Sequence, residues 1–533
     1  MSESIDLTPS PRVLRMLGEI DFKAWQCLCE IIDNSIDAFN TPSADFESED
    51  KPTVKIRLPS ASQNDLKPSG ILIIEDNGVG MTIEDLNKSL KAGFSGNSPI
   101  DKMGLFGMGF NISTARLGSR TEVITTTKYS DEFLKVTIDF HELEDSEHFQ
   151  VPVERIPKKA DELHCHGTTI KITKLRIDHI RPLYRRKKIT EKLGKIYGRI
   201  IREKGIKLVY HGTPCRPFKH CFWSENRGGQ AKDGPVPAYF HIDHLIDEKN
   251  YCSSCWVWLS DFDSSCPACD ESSSVTKRER RIRGWMGIQR YFHEDHYGID
   301  LIRNGRVITE LDKSFFSWEN ADQDFELEYP LDGHQKLGRI VGEIEIDFVK
   351  VTHQKDAFDQ STQDWRDVVS AIRGSGPIRP NIAKNLGYAV NTSYLAKLFS
   401  AFRTAKAGIK NLVPQRVNGQ AMIKDAHIND LIRRFYEGEA GFQSDDKWWD
   451  LLNEANAGRV TVKPDDPSGG NPFAPKKPDE KGASSENEIS DRPGTDGKKD
   501  DEPKTASDPA LSKNYSLDLF KNVSIRVIAE RAL

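Results

Sequence analysis

The chain has 533 residues, of which 37% are hydrophobic, with nine tryptophans and a net charge of −6. That length holds two or three domains with real cores, and the weak net charge excludes a globally basic nucleic-acid binder, so phosphate contacts must come from local patches. No apolar run approaches the ~20 residues of a membrane span and the polar start is unlike a signal peptide, while two Cys-x-x-Cys pairs among nine cysteines suit metal binding in a reducing compartment.

Residues 1–175 alternate helices and strands, as in an α/β domain. From about Phe22 to Phe39, Trp25, Leu28, Cys29, Ile32 and Ile36 repeat at helical spacing and form one apolar face. Glu30, Asn34 and Asp37 lie at i, i+4 and i+7, so they share the opposite face, which in isolation reads as a solvated face. Thr53 to Leu58 alternates like a half-buried strand, and Ile71 to Ile74 is a continuous apolar run, as in a covered central strand. The run leads into Glu75-Asp76-Asn77-Gly78-Val79-Gly80-Met81. An acid at that strand end can accept from an exocyclic amine such as adenine N6, and the glycines let backbone approach a ligand; Asp-Asn-Gly is also an ordinary turn signal. Gly104-Leu-Phe-Gly107-Met-Gly109 then opens onto a plausible helix start at Phe110, where free N–H groups favour phosphate. Glu122 to Thr126, Leu134 to Ile138 and Thr168 to Ile172 read as strands, and no P-loop motif occurs.

A second α/β unit occupies 176–360, then a mostly helical segment 361–455. Residues 456–512, rich in Pro, Gly, Ser, Asp and Lys, are expected to be a disordered linker. The final piece, 513–533, regains periodicity, as a docking segment or the cut end of a longer element would. Within 250–271, Cys252, Cys255, Cys266 and Cys269 form two knuckles, the pattern of a closed, structural zinc ribbon. Cys215, Cys221, His211 and His220 are too irregularly spaced for a second site, and His293 and His296 read as ordinary surface residues. Between Arg181 and Lys207 lie eleven Lys/Arg and two Glu, and Lys277 to Arg283 is a second basic run. Both can neutralise DNA phosphates, although a charge run is commonly just a solvated face.

Glu30-x-x-x-Asn34-x-x-Asp37-Ala38, Asp76-x-Gly78-x-Gly80, Gly104-x-x-Gly107-x-Gly109 and Gly167-Thr168 resemble, in this order, the motifs of the GHKL ATPases, the group of gyrase B, MutL, heat-shock chaperones and histidine kinases. The resemblance implies a Bergerat fold, an α/β sandwich with helices on one sheet face. It also implies roles: Glu30 as the general base that orients water, Asn34 on magnesium and Asp76 reading adenine. Gly78, Gly80 and Met81 would shape the base pocket, with Thr168 supporting it. Gly104, Gly107 and Gly109 would cradle phosphates, with Asp37, Lys102, Met108 and Phe110 completing the nucleotide site.

Gly93-Phe94-Ser95, Met103 to Phe110 and Ala115-Arg116-Leu117-Gly118 look more narrowly like the lid and following helix of the microrchidia (MORC) family, with Asn111 where that family usually has lysine. The stretch Gly342 to Asp359 resembles the same family's second-domain signature, in which a transducer lysine, here Lys355, reaches the γ-phosphate. This resemblance implies a slow, magnesium-dependent ATPase that dimerises on ATP and clamps or compacts duplex DNA with low sequence specificity, possible roles being silencing or defence against foreign DNA. Its cofactors would be ATP, magnesium and zinc, and a protein partner could use the C-terminal tail. The expected place is intracellular: cytoplasm or nucleoid in a bacterium, nucleus in a eukaryote. Rival readings are a chaperone-like ATPase with a protein client, and a nucleotide-sensing scaffold without turnover.

Overall fold

A computed structural model describes residues 12–458 except 42–43, 45–50, 61–65, 92, 94–99, 106, 145–149, 321–323, 331–336, 404–405 and 418–419. The lid residues Phe94, Ser95 and Phe106, nearly all of the expected linker and the segment 513–533 lie outside the described residues.

The first module is an eight-stranded sheet in the order Val153–Pro157, Glu132–Asp139, Gly118–Thr126, Gly167–Leu175, Leu72–Asp76, Thr53–Arg57, Lys207–Tyr210, Thr213–Pro214. Leu72–Asp76 is the covered strand its apolar run predicts, antiparallel to both Thr53–Arg57 and Gly167–Leu175. Helix Ala24–Phe39 packs on one face, where Leu28, Ile31, Ile32 and Ile36 share a core with Val54, Ile56, Leu72, Ile74, Ile170 and Ile172. At ~1.5–3 kcal/mol per fully buried aliphatic side chain, this core fixes the helix and the carboxylates it carries. The helix is not simply two-sided: Glu30 is 6% exposed and Asp33 0%, while Asn34 faces solvent.

The sheet runs beyond residue 175, where the first domain was expected to end. Strand Lys207–Tyr210 pairs in parallel with Thr53–Arg57. It runs the same way as Gly167–Leu175, so helices Arg186–Ile196 and Gly198–Lys204 supply the crossover that parallel strands require.

The second module is a six-stranded sheet in the order Val257–Trp258, Tyr239–Cys252, Val275–His293, Gly338–Glu345, Gly298–Arg303, Arg306–Asp312. Tyr239–Cys252 and Val275–His293 form a long antiparallel ribbon whose far end carries the four cysteines. Helices Gln363–Arg373, Tyr394–Phe402, Asp425–Glu437 and Asp446–Asn456 bury Trp365, Phe399, Phe435 and Trp448 in the same core as Met286, Phe316, Ile340 and Ile344. The stretch 361–455, expected as a separate segment, is therefore a helical layer on the second sheet. No helix among the described residues is long and apolar enough to cross a membrane.

Two pieces of the second module reach helix Ala24–Phe39. The hairpin between Gly298–Arg303 and Arg306–Asp312 turns through Asn304-Gly305, with φ of 48° and 77°, the Asn-Gly pair that a two-residue hairpin turn favours. Asp347 Oδ1 accepts from Asn304 N at 2.7 Å and Glu345 Oε1 from Gly305 N at 2.8 Å, which anchors the turn. The loop after Gly338–Glu345 carries Lys355, whose φ is 49°. It rests on the first module through Gln354 Nε2, which donates to Asp21 O at 2.9 Å.

Candidate nucleotide site

The strand end and the helix meet at Asp76. Its carboxylate accepts from Ser35 Oγ at 2.9 Å, Gly78 N at 2.9 Å and Thr168 N at 3.3 Å. Burial pushes the Asp76 carboxyl up, against those three donors, which lower it. Around it, Met81 N donates to Thr125 Oγ1 at 3.0 Å, and the hydroxyls of Thr125 and Thr168 are 3.1 Å apart. Gly80 has φ 70°, and a Cβ there would stand 1.9 Å from Thr126 O, so no other residue fits that crossing. His166 Nδ1 lies 2.7 Å from Gly78 O and braces the same turn. The structure thus brings Asp76, Gly78, Gly80, Met81 and Thr168 together.

The glycine-rich segment crosses the C-terminal half of the same helix. Asp37 accepts from Met103 N at 3.1 Å and Gly104 N at 2.9 Å; burial pushes its carboxyl up against those bonds. A Cβ on Gly104 would stand 3.4 Å from both Asn34 Oδ1 and Asp37 Oδ2. Gly107, with φ 61°, accepts from Gly93 N at 3.0 Å. Helix Gly109–Leu117 begins against Glu30: a Cβ on Gly109 would lie 2.2 Å from Glu30 Oε2. Met108 and Phe110 are partly buried against the core. Lys102 offers its carbonyl to Asn304 Nδ2 at 2.9 Å, and Arg278 reaches the adjacent Asp101 at 2.7 Å, so the second module also holds the entrance of this segment. Asn111 is buried, its Nδ2 3.4 Å from Leu90 O.

Beneath Gly109 lies a buried charge cluster that joins the two modules. Lys355 Nζ is 2.9 Å from Glu30 Oε2 and 2.9 Å from Asp33 Oδ2. Arg306 Nη1 bonds Asp33 Oδ2 and stands 3.5 Å from Glu30 Oε1. Tyr197 donates its one hydroxyl proton to Asp33 Oδ1 at 2.8 Å, with Cys29 O 3.1 Å from the same oxygen. Burial alone would push the Asp33 carboxyl up; Arg306, Lys355 and the Tyr197 hydroxyl outweigh it and hold it below the usual carboxylate range. Asp33, Arg306 and Tyr197 were not among the expected site residues. Their only signals were an acid inside the helix's apolar stripe and an arginine flanking an Asn-Gly turn.

The four expected ribbon cysteines converge. Their sulfurs all lie within 4.8 Å of one another, and Cys252 and Cys269 are 3.8 Å apart. A tetrahedron with ~2.3 Å zinc–sulfur bonds has edges of ~3.8 Å, so the set fits zinc. Cys215, Cys221, His211 and His220 form no such group among the described residues. Instead His220 Nε2 pairs with buried Asp300 at 2.8 Å. His293 is not a surface residue: it is 9% exposed and stacks on His296 with ring centroids 4.2 Å apart.

The basic runs divide differently from their sequence. Every cation of Lys277 to Arg283 has a carboxylate partner: Glu248, Asp101, Asp247 with Asp364 and Asp367, Asp243, and Glu279. In the first run, Lys192 and Lys195 pair with Glu310, Arg199 with Glu345 and Arg202 with Glu343. Arg185, Arg186, Lys187 and Lys188 stay outward.

Comparison with curated proteins returns no match. Residues 22–168, which span helix Ala24–Phe39, the Asp76 turn, the glycine-rich segment and Thr168, match the family model of histidine kinase-, DNA gyrase B- and HSP90-like ATPases, so this part of the first module is similar to the ATPase domains of that family.

Proposed function

We propose that the chain hydrolyses ATP with Glu30 as general base, uses Lys355 to sense the γ-phosphate, dimerises when ATP binds, and acts as a MORC-like clamp or compactor of duplex DNA. The observation that carries the first part is the burial of Lys355, from the second module, against Glu30 of the ATPase helix, 2.9 Å away. A cation that reaches across modules to the base can answer to the nucleotide's state. Asn34, exposed beside Gly104, fits a magnesium ligand; the ion when bound would neutralise phosphate charge. Asp76 fits an adenine reader, since its carboxylate sits at the strand end among fixed donors.

The DNA reading rests on Arg185 to Lys188. The internal pairing of Lys277 to Arg283 favours the second reading, a chaperone-like ATPase with a protein client. Mass measurement with and without a nonhydrolysable ATP analogue, repeated with duplex DNA at two salt concentrations, separates them. The DNA reading expects an analogue-driven dimer that retains duplex at low salt and releases it steeply as salt rises. A dimer that ignores DNA at low salt leaves the protein-client reading.

We further assign a structural zinc to Cys252, Cys255, Cys266 and Cys269. Elemental analysis of native protein should find a single zinc per chain. Cys252→Ser should abolish it and destabilise the ribbon end of Tyr239–Cys252, while nucleotide affinity persists. Metal-free protein with an unchanged melting profile would count against the assignment.

A further inference from the structure

The buried cluster contains two cations from the second module, and the proposed function uses only Lys355. Their attachments differ. Arg306 is 2% exposed, comes directly after a hairpin turn anchored by Asp347 and Glu345, and bonds Asp33 while standing 3.5 Å from Glu30. Lys355 sits on a loop and divides its ammonium between Glu30 and Asp33, 2.9 Å from each. A guanidinium is planar and permanently charged, whereas a lysine ammonium is a compact charge on a flexible stem.

We propose that Arg306 and Asp33 form a fixed positioning pair that allows Lys355 to leave Glu30 for the γ-phosphate, freeing the Glu30 carboxylate to accept a proton from water. This deepens the ATPase reading and rests on it. The charge count supports it. Glu30 and Asp33 balance Arg306 and Lys355, so the buried set is neutral. When Lys355 moves to a third anion, one negative charge is left, on the group that must act as base. Asp33 keeps its guanidinium, and the Tyr197 hydroxyl holds its other oxygen at 2.8 Å. Without Arg306, the same movement would strand two buried carboxylates side by side, which a low-dielectric interior resists. Lys355 would then stay where it is. Without Asp33, Arg306 would turn to Glu30, its other carboxylate neighbour, and occupy the base.

The test is a mutant cycle in the full chain: R306Q, D33N and D33N/R306Q, with Lys355→Ala alongside. Turnover of ATP, affinity for ADP and the thermal midpoint are measured for each. Each single variant should lose about tenfold or more in kcat while ADP affinity stays within about twofold. Removing both members together strands no charge, so kcat should recover to within about threefold of wild type. A purely structural role predicts parallel loss of ADP affinity and thermal midpoint without that split, and such a result overturns the proposal. So does wild-type kcat in R306Q, or a folded, ADP-binding D33N/R306Q as slow as the singles. If the single variants do not fold, the double variant decides: fast turnover supports the pair, slow turnover overturns it. Wild-type turnover in Lys355→Ala would remove the lysine reading itself and the proposal with it. Loss there with wild-type R306Q would remove the positioning pair alone.

Discussion

Glu30→Ala should abolish ATP turnover and leave nucleotide binding nearly intact. The side chain stands where Gly109 begins its helix, with Oε2 2.2 Å from the position a Cβ on that glycine would take. A carboxylate so close to the start of the glycine-rich helix can face a water beside a terminal phosphate. It adds no direct contact to the base end, where Asp76 and Thr168 are held by Ser35 and Thr125 instead. Loss of a positioned base is worth ~10²–10⁴-fold in rate. Binding should survive for an electrostatic reason as well. Removing Glu30 leaves Lys355 and Arg306 facing Asp33 alone, an excess of positive charge that an anionic nucleotide can offset. Phosphate release and fluorescent-nucleotide titration on the same preparation check both halves. Asn34→Ala gives the contrast: it should weaken magnesium-ATP binding itself, because an amide ligand is lost and the base is kept. Wild-type turnover in Glu30→Ala would mean that another group activates water.

The local parts of this site were legible in the sequence. An apolar stripe with period 3.6 gave the helix, a four-residue apolar run gave the covered strand, and the ordered acid, amide and glycine motifs lay on the elements that those patterns predicted. What could not be read was partnership at a distance. Asp33 and Arg306 are 273 positions apart, and nothing local says that one neutralises the other. The same blindness left Lys277 to Arg283 open between a phosphate-binding face and a solvated one, and hid its internal pairing. Its alternation puts Arg278 and Arg280 on one face, paired with Asp101 and with Asp247, Asp364 and Asp367, and Lys277, Arg281 and Arg283 on the other, beside Glu248, Asp243 and Glu279. The strand Lys207–Tyr210 was missed because four residues carry little periodic signal. Its parallel partner, Thr53–Arg57, lies far earlier in the chain. His293 was read as a surface residue for want of a metal-ligand pattern; in the fold its Nδ1 accepts from Asp295 N at 2.9 Å and His296 N at 3.0 Å, and the ring is buried.

Lys355→Ala should lower turnover, weaken ATP-driven dimerisation and spare ADP affinity. The lysine is 4% exposed and its backbone is held in the left-handed region, with φ 49°. Its own N–H donates to Thr352 O at 3.0 Å, and Thr352 Oγ1 donates to Asp356 Oδ1 at 2.9 Å, so the loop presents the side chain in one direction. Loss of a buried, hydrogen-bonded charge contact costs about 2–5 kcal/mol. Two contributions arise here and they act at different steps. In the protein alone, alanine leaves Glu30 and Asp33 with one cation, Arg306, in place of two, so the modules should dock less firmly and the thermal midpoint should fall. With ATP, the cation that would answer to the γ-phosphate is gone, so the energy that ATP contributes to closure is gone as well. ADP lacks that phosphate, and its affinity therefore reports only the base pocket and the glycine-rich cradle, which alanine does not touch. Small-angle scattering and mass measurement with the nonhydrolysable analogue check the claim: at concentrations that compact and pair the wild type, the variant should remain extended and mostly monomeric. If it compacts and dimerises like the wild type, Lys355 serves only to neutralise Glu30 and Asp33, and the coupling between nucleotide and assembly must run through the contacts of Asn304 and Arg278 with Lys102 and Asp101 instead.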